Sequence, residues 1–373
     1  MSSLPVGLQE IVRKAALRAR GSSLSRISKK SLAKPAAKWV SQSRIGCEVG
    51  HALSVVLATQ GCSHARGGSG GCTMCSYLLD GASEMVSTEN IVVQFQDAMT
   101  SLEGLMSPIS LKVYTSGSFL DPDEVPLEAR SEILKVIAED ERIHQVVLES
   151  RPEYVTGEAA GFVREILGDK EIEMAIGLES IDDGVRNLCI NKGFSLSEFK
   201  TALRTAAVHD IGTRAYVLIK PPFLTEHDAL LDSTRTIIDA AKMGATTVSV
   251  NPVNVQKHTL VERMWSRGAY RPPWLWTVTE VLRQSRVQVS SEVNIVCDPV
   301  AAGKYRGTHN CGKCDDAFVK SIRQFSLDQS PRHFEGLDCE CRYQWMHTLE
   351  HEDFAHLVHS SAAIYLGKPL RET

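Results

Sequence analysis

Ala58-Thr-Gln-Gly-Cys62-Ser-His-Ala-Arg66-Gly-Gly-Ser-Gly-Gly-Cys72-Thr-Met-Cys75-Ser-Tyr77 follows directly on a short apolar run, Leu53 to Ala58. Three thiols in one glycine-rich loop can hold an iron–sulfur cluster and leave one iron without a protein ligand, an open corner at which a small molecule can bind and react. Cys72 and Cys75 form a compact pair, and Gly67, Gly68, Gly70 and Gly71 let the backbone turn back to bring Cys62 to the same cluster. Two plainer readings use the same residues. One is a zinc knuckle that borrows His64 as its fourth ligand, the other a redox pair made by Cys72 and Cys75.

Working outward, the loop sits between a strand and a helix. Ser87 is a plausible N-cap for a helix carrying Ile91, Val92, Phe95 and Met99. The alternation then repeats: strand Leu111–Thr115 and helix Leu127–Glu139, strand Gln145–Glu149 and helix Pro152–Ile166, strand Glu171–Glu179 and a helix capped by Asp182. Ser195 and Glu198 make a capping box with Phe194 and Phe199 as a staple. Strand Thr213–Lys220 stops at Pro221-Pro222, Thr225 and Asp228 open another helix, and Thr246–Val250 is a sixth strand. Six such units predict an α/β fold, a partial (β/α)6 barrel of the TIM type. The carboxyl ends of its strands place the cysteine loop, Ser116-Gly117-Ser118, Glu149-Ser150-Arg151-Pro152, Gly177-Leu178-Glu179-Ser180, Lys220 and Asn251-Pro252-Val253-Asn254 on one rim, where such barrels do their chemistry.

A second thiol set follows the barrel. Cys311-Gly-Lys-Cys314 and Cys339-Glu-Cys341 have the spacing of a closed tetrahedral site, which predicts a structural zinc in a C-terminal cysteine-rich module; an auxiliary iron–sulfur cluster is the alternative. Cys297 and His309 stand near enough in sequence to compete as ligands. Cys47 and Cys189 read as packing residues. Between barrel and module, Arg271-Pro-Pro-Trp274-Leu-Trp276 suits either stacking on a nucleobase or anchoring of the next helix against the barrel.

The 373 residues carry a net charge of −4 that is unevenly spread. Arg13, Lys14, Arg18, Arg20, Arg26, Lys29, Lys30, Lys34, Lys38 and Arg44 face a single early acid, Glu10, so residues 1–46 read as a basic segment that attracts polyanions, as a solvated leader, or as an organellar transit peptide. The barrel then occupies 47–296, and 297–373 hold the cysteine-rich module and a C-terminal helix. No apolar run is long enough to span a bilayer and no signal peptide is evident, so no membrane partner and a cytoplasmic location are expected.

The C-x9-C-x2-C loop after a first strand resembles the radical S-adenosylmethionine superfamily, in the branch that includes the Elongator catalytic subunit. Ser-Gly-Ser-Phe-Leu-Asp from Ser116, Gly-Leu-Glu-Ser from Gly177, Asn-Pro-Val-Asn-Val-Gln from Asn251, Tyr-Arg-Pro-Pro-Trp-Leu-Trp from Tyr270, His-Asn-Cys-Gly-Lys-Cys from His309 and Cys-Glu-Cys-Arg from Cys339 narrow the resemblance to the archaeosine-forming radical enzymes, over roughly residues 46 to 350. The resemblance implies one 4Fe-4S cluster on Cys62, Cys72 and Cys75, with S-adenosyl-L-methionine chelating the unligated iron. It implies that Ser116, Gly117 and Ser118 hold the methionyl end, and that Glu179 and Ser180 hold the ribose or carboxylate. Met74 stands where relatives carry an aromatic residue, which moves adenine stacking to Tyr77. Implied with these are a tRNA substrate bearing a lysine-modified deazaguanine in its D-loop, C–N cleavage by hydrogen abstraction, an archaeosine synthase partner subunit and an electron donor. An Elongator-like modification of tRNA is the alternative within enzymes. A noncatalytic RNA-binding scaffold with zinc sites is the alternative outside them.

Overall fold

The computed structural model describes residues 6–21, 23 and 32–353. One eight-stranded sheet runs in the order β1 to β8: β1 (Ala37–Ile45), β2 (Glu48–Val56), β3 (Ile109–Tyr114), β4 (Ile143–Glu149), β5 (Glu171–Glu179), β6 (Gly212–Ile219), β7 (Thr247–Pro252) and β8 (Asn294–Val296). β1 pairs antiparallel with β2, and every later pairing is parallel. Arg44 Nε on β1 donates to Asn294 Oδ1 on β8 at 3.1 Å, so the sheet curls until its first and last strands meet through side chains. The architecture is α/β, a partial barrel followed by a cysteine-rich module, as the alternation predicts.

The helices are α1 (Val6–Arg20), α2 (Ser63–Arg66), α3 (Thr88–Met99), α4 (Leu127–Glu139), α5 (Gly157–Leu167), α6 (Leu196–Val208), α7 (Glu226–Lys242), α8 (Leu260–Trp265), α9 (Leu275–Arg286), α10 (Asp315–Asp328) and α11 (Cys341–His351). The caps read from the sequence are made: Ser87 accepts from the Asn90 amide, Ser195 and Glu198 close a capping box, and Thr225 accepts from the Asp228 amide. The segment capped by Asp182 is a six-residue π-helical turn, Val185–Ile190, ended by Asn191 in the left-handed region. None of the described helices is long and apolar enough to cross a membrane.

Alternation along the strands divides the sheet into two faces. Leu53, Val55, Leu111, Val113, Val146, Leu148, Ile172, Met174, Val217, Ile219, Val248 and Val250 join the helices in one buried cluster. The alternate positions carry polar groups: Arg214 Nη2 lies 2.5 Å from Glu173 Oε2, Thr247 Oγ1 donates to Glu173, and Lys112 Nζ donates to Ser43 Oγ on β1. The inner face is therefore polar.

Three sequence expectations change here. Residues 37–45, inside the span read as a basic segment, form β1, whose outer positions are exposed because it is the antiparallel edge of the sheet. Cys47, expected to pack, is exposed in the turn between β1 and β2. Arg13 and Arg20 on α1 are tied to the cysteine loop rather than free in solvent, since exposed Arg13 donates from Nε to the Gly68 carbonyl and buried Arg20 donates to the Ala65 and Cys75 carbonyls. Arg26, Lys29, Lys30 and residues 354–373 lie outside the described residues.

Candidate metal centres at the barrel mouth and in the terminal module

The cysteine loop leaves the carboxyl end of β2 and is gripped from three sides. From α1 come Arg13, Arg20 and Leu17, the last packed so near Gly70 (φ +76°) that a Cβ there would lie 2.8 Å from Leu17 Cγ. From the end of the π turn, Asn191 Nδ2 donates to the Ser69 and Gly71 carbonyls at 2.9 and 2.8 Å, while Thr73 N and Oγ1 donate to the Ile190 and Cys189 carbonyls. After β7, Gln256 Oε1 accepts from the Ser76 amide at 2.6 Å. Cys189 packs in the apolar cluster beneath, beside Cys72 and Met74.

The loop's thiols share one electrostatic neighbourhood. Burial raises the Cys62 and Cys75 thiols, Cys75 to about 12, and Cys72 pushes each of them further. Two cations oppose this: Arg151 favours the Cys62 thiolate, and Lys192, held by Glu179 at 2.7 Å, favours that of Cys75. Thiolates buried against fixed cations suit an anionic, thiolate-ligated cluster. The zinc-knuckle alternative has no support in the geometry. His64 Nε2 pairs with the Asn191 carbonyl at 2.7 Å, and its ring is kept neutral, with burial lowering it to about 4. Among the described residues the three thiols form no set of ligand atoms within 4.8 Å, the closeness a single ion requires.

The rim residues named from the sequence divide into two kinds. Tyr77 is half exposed and lines a cavity of about 480 Å³ with Ser76, Leu79, Asn254, Gln256 and Lys257. Its hydroxyl is raised to about 12, by burial and then by Cys75 and Glu149. Gly117 backs onto the cysteine loop, where a Cβ would lie 2.5 Å from Cys62 Cα. The hydroxyls expected to meet a ligand are instead engaged in holding loops. Ser116 Oγ donates to the Tyr77 carbonyl, Ser118 Oγ accepts from the Arg151 amide, and fully buried Ser180 donates to Asp232 Oδ1 at 2.7 Å. Glu124 ties the second rim loop to the first, accepting from Thr59 Oγ1 and the Ser118 amide at 2.6 and 2.7 Å. Lys220 is buried and pairs with Glu226 and Glu352.

Sequence reading missed Lys192 and Asn191, which follow the π turn with no local motif to mark them. It placed Glu149 on the rim without a role. There, burial raises the carboxyl to about 8, against the pull of Lys192.

In the terminal module Cys311, Cys314, Cys339 and Cys341 converge, with all four sulfurs within 4.8 Å of one another. Neighbouring Sγ atoms are 3.9, 3.6 and 3.7 Å apart. Four thiolates about 2.3 Å from one tetrahedral ion would have edges of about 3.8 Å, so the set fits such an ion. Trp276 Nε1 donates to Cys341 Sγ at 3.3 Å and Asn310 Nδ2 to Cys314 Sγ at 3.4 Å, the outer hydrogen bonds typical of thiolate sites. Cys297 is buried in the core, and neither it nor His309, whose Nδ1 pairs with the Gly307 carbonyl, belongs to the four.

Of the two uses open to Arg271-Pro-Pro-Trp274-Leu-Trp276, anchoring is the one found. Both indoles are buried, Trp276 against Phe318 and Trp345, and the Arg271 guanidinium lies 3.9 Å from the centre of the Trp274 ring.

No family model matches the chain. Archaeosine synthase subunit beta of Methanosarcina acetivorans is 43% identical over 322 residues, covering 86% of this chain and 92% of that one. The protein of the same name from Thermococcus kodakarensis is 38% identical over 313 residues, covering 84% and 96%. Among solved structures, Elp3 of Methanocaldococcus infernus with an N-terminal deletion aligns over 66% of this chain and 60% of its own, at 15% identity and a TM-score of 0.49. On the first two comparisons, the chain belongs to the family of archaeosine synthase beta subunits.

Proposed function

We propose that this chain is a radical S-adenosylmethionine enzyme of tRNA modification, the subunit that converts a lysine-modified deazaguanine in the D-loop to archaeosine by C–N cleavage. The observation that carries the reading is the cysteine loop itself: Cys62, Cys72 and Cys75 fixed between Arg151 and Lys192 at the strand ends of a polar-lined barrel, beside an open cavity. A 4Fe-4S cluster on the three thiols, with adenosylmethionine on its free iron, would supply the adenosyl radical that abstracts hydrogen from the lysyl arm.

The chain's own residues hold and shield that centre. Arg151 and Lys192 offset its negative charge, and α1, the π turn and Gln256 fix the loop. Tyr77 and the backbone at Gly117 remain the best placed of the expected cofactor contacts. The hydroxyls of Ser116, Ser118 and Ser180 act from behind by fixing loops, and Glu179 acts through Lys192. The four-thiolate site is assigned to zinc in a structural role, because four protein sulfurs leave no open position for a substrate. The archaeosine synthase partner subunit would attach the lysine beforehand, and a separate electron donor would reduce the cluster.

Anaerobic incubation of the iron-loaded protein with lysine-modified tRNA, adenosylmethionine and dithionite, followed by nucleoside mass spectrometry, tests the reading. Archaeosine and 5′-deoxyadenosine are expected together. A preparation that binds zinc but no iron under these conditions, and releases no deoxyadenosine, would overturn it.

A further inference from the structure

Three segments far apart in sequence build one cationic surface beside the cavity mouth. α8 and the turn after it carry Arg263 and exposed Arg267, and α1 brings Arg18 against them. Lys257 stands at the edge of the cavity itself. Arg263 is drawn below its ordinary value, first by partial burial and then by the like charges of Arg267 and Arg18. Asp80 lines the cavity with Lys257, and two other nearby carboxylates are committed elsewhere. Glu10 pairs with Arg13 and Lys14, and Glu262 with Arg306. Among the described residues no carboxylate pairs with Arg263, Arg267 or Lys257.

The same surface presents an aromatic shelf. Tyr305 is 73% exposed and rests on Trp265 with ring centres 5.1 Å apart, while the Arg306 guanidinium lies 4.7 Å from the centre of the Trp265 ring. The guanidinium groups of Arg263 and Arg267, with no carboxylate partner among the described residues, next to an exposed, stiffly backed ring match a ribose–phosphate chain with an unstacked base.

Resting on the tRNA reading above, we propose that the surface formed by Arg18, Arg263, Arg267 and Tyr305 is where the phosphate backbone of the tRNA docks, with Lys257 at the point where the target nucleotide enters the cavity. Arg18 carries part of the basic leader onto this surface, whereas Arg13 and Arg20 of the same helix bind carbonyls of the cysteine loop.

The test uses full-length, iron-loaded protein and an in vitro tRNA transcript, with affinity measured across a salt series. R263E/R267E should weaken binding by about tenfold or more at low salt and lower the slope of log affinity against log salt by about 2, whereas K200E/R204E, on the exposed side of α6, should change neither. Deoxyadenosine release without tRNA should be unchanged in both variants. If R263E/R267E misfolds, Arg267→Gln alone carries the test, with a slope change of about 1. Wild-type binding with an unaltered slope in R263E/R267E would overturn the surface while leaving the tRNA reading standing. An equal loss in both double variants would also overturn it, as a nonlocal charge effect. Failure of the wild-type protein to bind tRNA would sink both.

Discussion

Lys192 Nζ lies 2.7 Å from Glu179 Oε1, and the Cys72 thiol is the next group to act on this ammonium. Glu179 holds its place at φ +64° at the end of β5, so the pair is built into the strand end rather than hung from a mobile loop. Lys192→Met would leave a nearly buried carboxylate unpaired and should cost about 3–5 kcal/mol. Lys192→Met with Glu179→Gln should recover most of that stability and still bind less iron, because the cation facing the thiolates is gone. Thermal melts with iron analysis separate the two effects.

Cys75→Ala should abolish deoxyadenosine formation while the apoprotein keeps its circular dichroism spectrum, because the loop's position rests on Arg20, Asn191 and Gln256 more than on one thiol. Full retention of cofactor cleavage would count against the cluster assignment.

Arg20→Gln removes donors from the Ala65 and Cys75 carbonyls at once. Its expected effect is faster loss of the cluster to a chelator, followed by visible absorbance, with little change in initial iron content. Equal bleaching rates would show that α1 does not brace the loop.

The Asp232 carboxyl is raised to about 6, mainly by burial, and its Oδ2 has no hydrogen-bond partner among the described residues. A raised carboxylate favours the folded state fully below its unfolded value, near 3.8, and that contribution is lost as pH rises through about 6. Asp232→Asn should therefore be more stable than wild type at pH 8, by up to about 3 kcal/mol, with the difference shrinking toward pH 4. Urea unfolding at the two pH values checks the sign.

Cys314→Ser should lose the ion of the terminal module and leave the iron at the barrel mouth. Since Trp276 and Trp345 pack beside those thiols, tryptophan fluorescence should report loosening of the module. Iron and zinc lost together would mean that the two centres are not independent.

Much of this was legible because burial on the helix-facing side selects β-branched and aliphatic residues, so β2 to β7 stand out as runs and their caps follow local rules. β1 was not, because Ala-Lys-Trp-Val-Ser-Gln-Ser-Arg-Ile lies mostly exposed at an edge and reads as leader, and β8 is only three residues long. The thiols declared themselves by spacing, whereas Lys192, Asn191 and Arg20 act across 45 residues or more of chain, or through a turn with no motif. The place of Ser180 at a strand end says nothing about which way its hydroxyl points, and here it donates to Asp232. Trp274 and Trp276 could be decided only by burial.

Because the cysteine loop takes its shape from α1 before it and from Asn191 and Gln256 well after it, a nascent chain cannot finish the loop until Gln256 has left the ribosome. Iron delivered earlier would meet three loose thiols on a flexible tether. A cluster held by this loop would therefore be retained only once Gln256 has emerged, and a truncated product ending before β7 would lack the grip to keep it.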